Sequence, residues 1–123
     1  MNNGIYGVPA QNQTGFYQSP WMPMTRFAAA TRYIIPHPYE DLPTMARQLY
    51  RCKIAQAHYT PGMVIQELPR YAGIGDGCQL VLRPYAIELC MGSTGVFRSR
   101  NSGANSSIAL TPANWEVALL VIK

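Results

Sequence analysis

Charge is what this 123-residue chain has least of. Asp, Glu, Lys and Arg make up 13% of it, about half the share of an average soluble domain. Much of its surface must therefore be neutral polar or apolar, a surface suited to packing against other protein. Ten basic residues against six acidic ones leave a formal charge of +4, yet all the basic residues but Lys53 and Lys123 are arginines scattered along the chain. Long apolar runs are also missing. Stretches such as 118–122 and 33–35 fall far short of the roughly 18 residues a membrane-spanning helix needs, so no membrane partner is expected. The first residues, Met1-Asn-Asn-Gly-Ile-Tyr-Gly7, lack the basic and then apolar regions of a secretory signal, which points to synthesis and retention in the cytoplasm of the producing cell. Cysteine is sparse. Cys52, Cys78 and Cys90 form an odd set without CxxC spacing, each inside an apolar strand-like run, and read as buried free thiols rather than as a disulfide or metal cluster.

Catalytic motifs are absent too. No HExxH, GxSxG, GxxxxGK[ST] or cysteine–histidine metal spacing occurs. Glu40, Asp41, Glu67, Asp76, Glu88, Glu116, His37 and His58 form no recognisable acid–base constellation. His37 sits in Pro-His-Pro and His58 just before a turn, as surface or packing residues. Gly73-Ile-Gly-Asp-Gly77 looks like a phosphate cradle, but a dinucleotide fingerprint joins a strand to a helix and here a strand follows, so it reads as a hairpin or Ω-like loop. Asp76 alone carries too little charge for a dedicated calcium site. No catalytic, cofactor or metal residues are therefore assigned, and no enzyme is expected. A small cupin-like enzyme would need His58, Glu67 or Glu88 to converge in one polar pocket. The Arg98-Ser-Arg100 loop could touch phosphates, but a nucleic-acid groove wants basic residues repeated along one face with aromatics between them. The spread of Arg26, Arg32, Arg47, Arg51, Lys53, Arg70 and Arg83 argues against one.

What the chain does have falls into two regimes. Residues 1–38 hold Pro9, Pro20, Pro23, Pro36 and Pro38, no acidic residue, and only Arg26 and Arg32 as cations. Proline locks φ and removes a donor, keeping such a segment extended. Disordered tails are poor in aromatics, whereas this segment carries Tyr6, Phe16, Tyr17, Trp21, Met22 and Phe27. It reads as an arm that lies on a partner, with those six residues as anchors, and its removal is expected to leave the remaining domain folded. The competing reading is a loop-rich lid over its own domain. Short helical turns are expected over 25–31 and from Asp41, an N-cap with Pro43 in the first turn.

Residues 39–123 form the domain. From about Leu49 the pattern has period two: Tyr50, Cys52 and Ile54 alternate with Arg51, Lys53 and Ala55, a turn at Thr60-Pro-Gly62 leads to a strand over 63–68, and Cys78, Leu80 and Leu82 share a face. Tyr85, Ile87, Leu89 and Met91 alternate with Ala86, Glu88 and Cys90. Gly92-Ser-Thr-Gly95 has hairpin chemistry, strands over 96–98 and 107–110 flank a polar loop, and 115–122 is apolar on both faces, as a central strand would be. Six or seven short strands without helices between them predict an all-β fold, a small antiparallel β-sandwich or barrel preceded by the extended N-terminal arm. So small a sandwich exposes edges and favours closed homo-oligomers.

The segments Ala57-His-Tyr-Thr-Pro-Gly-Met-Val-Ile65, Gly92-Ser-Thr-Gly-Val96 and Ile108-Ala-Leu-Thr-Pro-Ala-Asn-Trp115, the last running into a hydrophobic strand, resemble a small β-domain of tailed-bacteriophage virion structural proteins, of tail-fibre, appendage or head-decoration type. The resemblance spans about residues 55–123 and departs at Met63, where such domains commonly carry Asp. It implies a non-enzymatic virion component, a homotrimer that also contacts other capsid or tail proteins. The alternative is a receptor- or glycan-binding module that uses the loops 70–77 and 98–106, with Arg70, Tyr71, Asp76, Arg98 and Arg100 as ligand residues.

Overall fold

The computed structural model describes residues 15–68, 75–101 and 106–123. Within them lie ten strands: β1 (Phe16–Gln18), β2 (Met22–Pro23), β3 (Arg32–Pro36), β4 (Met45–Cys52), β5 (Val64–Gln66), β6 (Cys78–Arg83), β7 (Ala86–Met91), β8 (Arg98–Asn101), β9 (Ser106–Ala109) and β10 (Trp115–Ile122). Among the described residues no helix reaches seven residues and none is long and apolar enough to cross a membrane. The strands pair antiparallel in a five-stranded sheet, β1-β10-β4-β5 with β2 also on β10, a three-stranded sheet, β3-β7-β6, and the hairpin β8-β9. No sheet among the described residues closes on itself, so of the two all-β architectures expected, the fold is consistent with the small sandwich.

β10 is the central strand, as its two apolar faces predict. It pairs over its whole length with β4, from Trp115 opposite Cys52 to Ile122 opposite Met45. Side chains two apart share a face, so Trp115, Val117, Leu119 and Val121 point inward with Tyr50 and Cys52, all of them buried. The opposing sheet contributes Ile35, Cys78, Ile87, Leu89 and Met91 to the same core. Tyr50 joins the layers, its ring 5.3 Å from that of Phe97 and its hydroxyl 3.8 Å from Cys78 Sγ. Burial, and then the neighbouring thiol, push the Tyr50 phenol well above its ordinary range, so it stays neutral in the core.

The arm expected over 1–38 is corrected for residues 15–38. β1 and β2 pair with β10 through Tyr17 opposite Val121 and Met22 opposite Val117, and β3 forms an edge of the other sheet, Ile35 opposite Ile87. Between them, Met24 begins a 3-10 turn and is buried. The apolar content that suggested a partner is used inside the chain's own core. Nor does the helical turn expected from Asp41 form: Met45 begins β4 instead, because pairing with Ile122 outweighs a weak local capping preference.

Pro-His-Pro has a structural use. His37 is buried, its Nδ1 accepting the Tyr39 backbone N–H at 3.0 Å and its Nε2 lying 2.8 Å from Arg83 O. A carbonyl only accepts, so Nε2 carries the proton and the ring is neutral. Burial holds the His37 pKa below its ordinary value against the opposing effect of its backbone hydrogen bonds. Because the unfolded chain takes up this proton more readily, the contribution of His37 is complete above the ordinary histidine value and is lost as pH falls through the lowered folded one. Urea midpoints should decline with acidification across that window, and His37→Gln should flatten the decline while lowering the plateau.

Candidate functional site

The residues singled out from the sequence scatter once the chain is folded. Met22 and Phe27 are 7% and 6% exposed and belong to the core, which removes them as partner anchors. Tyr17 is half-buried in β1, where burial raises its phenol pKa. Tyr6, Arg70 and Tyr71 lie outside the described residues. Among the described candidates Phe16 alone is exposed, and Trp21, half-buried like Tyr17, lies along the five-stranded sheet.

At the loop end, the structure brings Asp76 and Arg98 together. The Arg98 Nε–H donates to Asp76 Oδ2 at 2.6 Å and Thr94 Oγ1 donates to Oδ1 at 2.5 Å. These bonds, above all that from Arg98, hold the Asp76 carboxyl below its ordinary range against burial. The Gly75–Gly77 turn packs directly on the Gly92–Gly95 turn: Gly92 N–H donates to Gly77 O, and a Cβ on Gly92 would lie 2.0 Å from Gly75 O. The second turn therefore does not close a hairpin between β7 and β8, as its glycines suggest. It crosses the first turn at a distance only glycine permits, and β8 pairs with β9 instead. Asp76 and Arg98 satisfy each other, leaving Arg100 as the exposed ligand candidate among the described residues.

The polar groups that an enzyme would need are set apart. His58 stacks on Tyr59 at 4.1 Å. The Glu67 carboxylate accepts the Gln48 backbone N–H. Glu88 lies on the opposite sheet, ion-paired to Arg83 at 2.7 Å and Arg32 at 3.6 Å. Among the described residues no three of His, Cys, Asp and Glu converge on a metal position.

The outer face of the five-stranded sheet carries a cluster of exposed apolar side chains. Register places four cross-strand rows on it: Phe16–Ile122–Met45, Gln18–Leu120–Arg47, Ala118–Leu49–Gln66 and Pro23–Glu116–Arg51–Val64. The last row is covered only in its middle, Val64 at its β5 end being 45% exposed. Arg51 donates to Glu116 Oε1 at 2.6 Å and lies 4.3 Å from the centroid of the Trp21 ring, so Trp21 covers an ion pair on its own sheet. The first row is open. Phe16 is 51% exposed and Met45 39%, with Ile122 and Leu120 half-buried beside them. The loop before β4 joins this end through Thr44 N–H to Ile122 O at 2.8 Å, and it carries exposed Glu40, Asp41 and Leu42. An outward-facing sheet normally alternates apolar inside with polar outside; this one is apolar on both sides of its central strand. The sequence signal was the double-sided hydrophobicity of 115–122, but with the partners of β10 unknown it could not tell which rows stay open. Comparison with family models, curated proteins and solved structures finds no match to this chain.

Proposed function

We propose that this chain is a non-enzymatic structural protein of a tailed-phage particle, a tail-fibre, appendage or head-decoration component that works as a homo-oligomer by packing against other protein. The observation that carries the assembly role is the open apolar row on the outer face of the five-stranded sheet, in a chain with so little surface charge. The particle assignment follows from the resemblance of 57–65, 92–96 and 108–115. Residues 1–14, which contain Tyr6 and no charged group, take the anchoring part first assigned to the whole of 1–38, and contact a capsid or tail protein. The trimer implied by the resemblance is the expected order. Quantitative mass spectrometry of purified particles of the phage that encodes the chain should find it in many stoichiometric copies. Its absence from particles, with the protein abundant in the infected cell, would overturn the proposal.

A further inference from the structure

We infer that the open end of the five-stranded sheet's outer face, the row Phe16–Ile122–Met45 with Leu120 beside it, is the contact through which one copy of this chain binds a second copy, Arg47 of one pairing with Glu40 and Asp41 of the other. The inference rests on the assembly reading above and names its surface. Three observations carry it. The row is apolar, contiguous by register, and at the end of the sheet where the chain enters β1 and leaves β10, Lys123 N–H donating to Gly15 O at 2.7 Å. At the other end of the face Trp21 already lies over Arg51 and its partner Glu116, which separates the row from exposed Val64 on β5 and bounds the contact on that side. The charges flanking it are complementary and unspent: Arg47 projects from the neighbouring row, Glu40 and Asp41 from the loop leading into β4, all exposed and without an ion-pair partner among the described residues.

That pattern favours a second copy over an unrelated partner. Arg47 stands on one side of the strip, and Glu40 and Asp41 on the other with Lys123, which lies 5.7 Å from the ring of Tyr39, so the two sides keep opposite net charge and the strip complements itself when copies are rotated against one another around a ring. Each Arg47 then meets acidic groups at the rim, where charge sets register, while Phe16, Met45 and Leu120 exclude water at the centre.

The test is light scattering and sedimentation on the full-length chain over a concentration series. The wild type should associate reversibly. Met45→Glu, at an exposed position, should keep the circular dichroism and melting temperature of the wild type while raising the dissociation constant by about tenfold or more, because its carboxylate would be desolvated in the contact. Arg47→Glu should also weaken association, and combining it with Glu40→Arg and Asp41→Arg should restore it. Association that Met45→Glu leaves unchanged would overturn the inference, and the assembly reading would stand on another surface. A monomer at every concentration, as when residues 1–14 of the same chain cover the row, would overturn it as well. Failure of the triple variant to recover would overturn the charge pairing. The particle measurement decides the broader reading separately.

Discussion

A chain begun at Tyr39 should not fold, whereas one begun at Gly15, which keeps every described strand, should retain a cooperative unfolding transition. Removing residues 1–38 deletes β1, β2 and β3 and, with them, the buried side chains of Met22, Met24, Phe27 and Ile35. Each is worth about 1.5–3 kcal/mol of gross burial, so together they match the whole net stability of a typical domain, about 5–15 kcal/mol. Hydrogen bonds are lost as well. Buried Ser19 donates its backbone N–H to Leu119 O and accepts the Leu119 N–H on its Oγ, both at 2.9 Å, and without it the central strand would have both groups unpaired on one side. Without β3, β7 would become an edge carrying Ile87 and Leu89, now fully buried. Far-ultraviolet circular dichroism and a urea titration would check this. A cooperative transition in the chain begun at Tyr39 would show that the segment is a separable arm after all.

The strands within 15–38 leave little local trace in the sequence. Strands are legible where period two runs for five or more residues, as in Cys78–Arg83, Ala86–Met91 and Trp115–Ile122. β1 and β2 are three and two residues long, too short to show a period, and β3 ends at Pro36, on a sheet edge where proline is tolerated. Their place in the fold comes from pairing with β10 and β7, a long-range property with no local signature. Residue 85 fails for a related reason: Tyr85 continues the alternation of Ile87 and Leu89, but it forms the turn between β6 and β7 with φ of 65° and an exposed ring. Ile54, read in phase with Tyr50 and Cys52, is 55% exposed because β4 ends at Cys52. The loop residues Asp76 and Arg98 stood out as candidates, yet only coordinates show that each is the other's partner.

Trp115→Ala should be the most damaging single substitution, because three separate functions meet in that side chain. It is fully buried at the start of β10, it receives the Tyr59 ring edge-on at 5.3 Å, and its Nε1–H donates to Gln56 Oε1 at 2.8 Å. Gln56 in turn ties the β4–β5 connection to the approach of β10: its Oε1 also accepts the Thr111 N–H, and its Nε2–H donates to Ala109 O and Thr111 Oγ1. Loss of the indole leaves a large cavity, for which about 3–5 kcal/mol is expected, and it frees the Tyr59 ring, whose hydroxyl lies 2.7 Å from Ser99 Oγ in β8. Trp115→Phe separates these contributions. It keeps an aromatic ring against Tyr59 and removes one hydrogen bond from an oxygen that still accepts from Thr111, so only about 1 kcal/mol should come from the lost bond, with the smaller ring adding a cavity cost of its own. Urea unfolding of both variants measures the difference. If Trp115→Phe were as damaging as Trp115→Ala, the link through Gln56 would outweigh the packing of the ring, and the β10 entry would be held chiefly by its polar clamp. If both were mild, the sandwich would be held from its other end, where β1, β10 and β4 come together beside the open row.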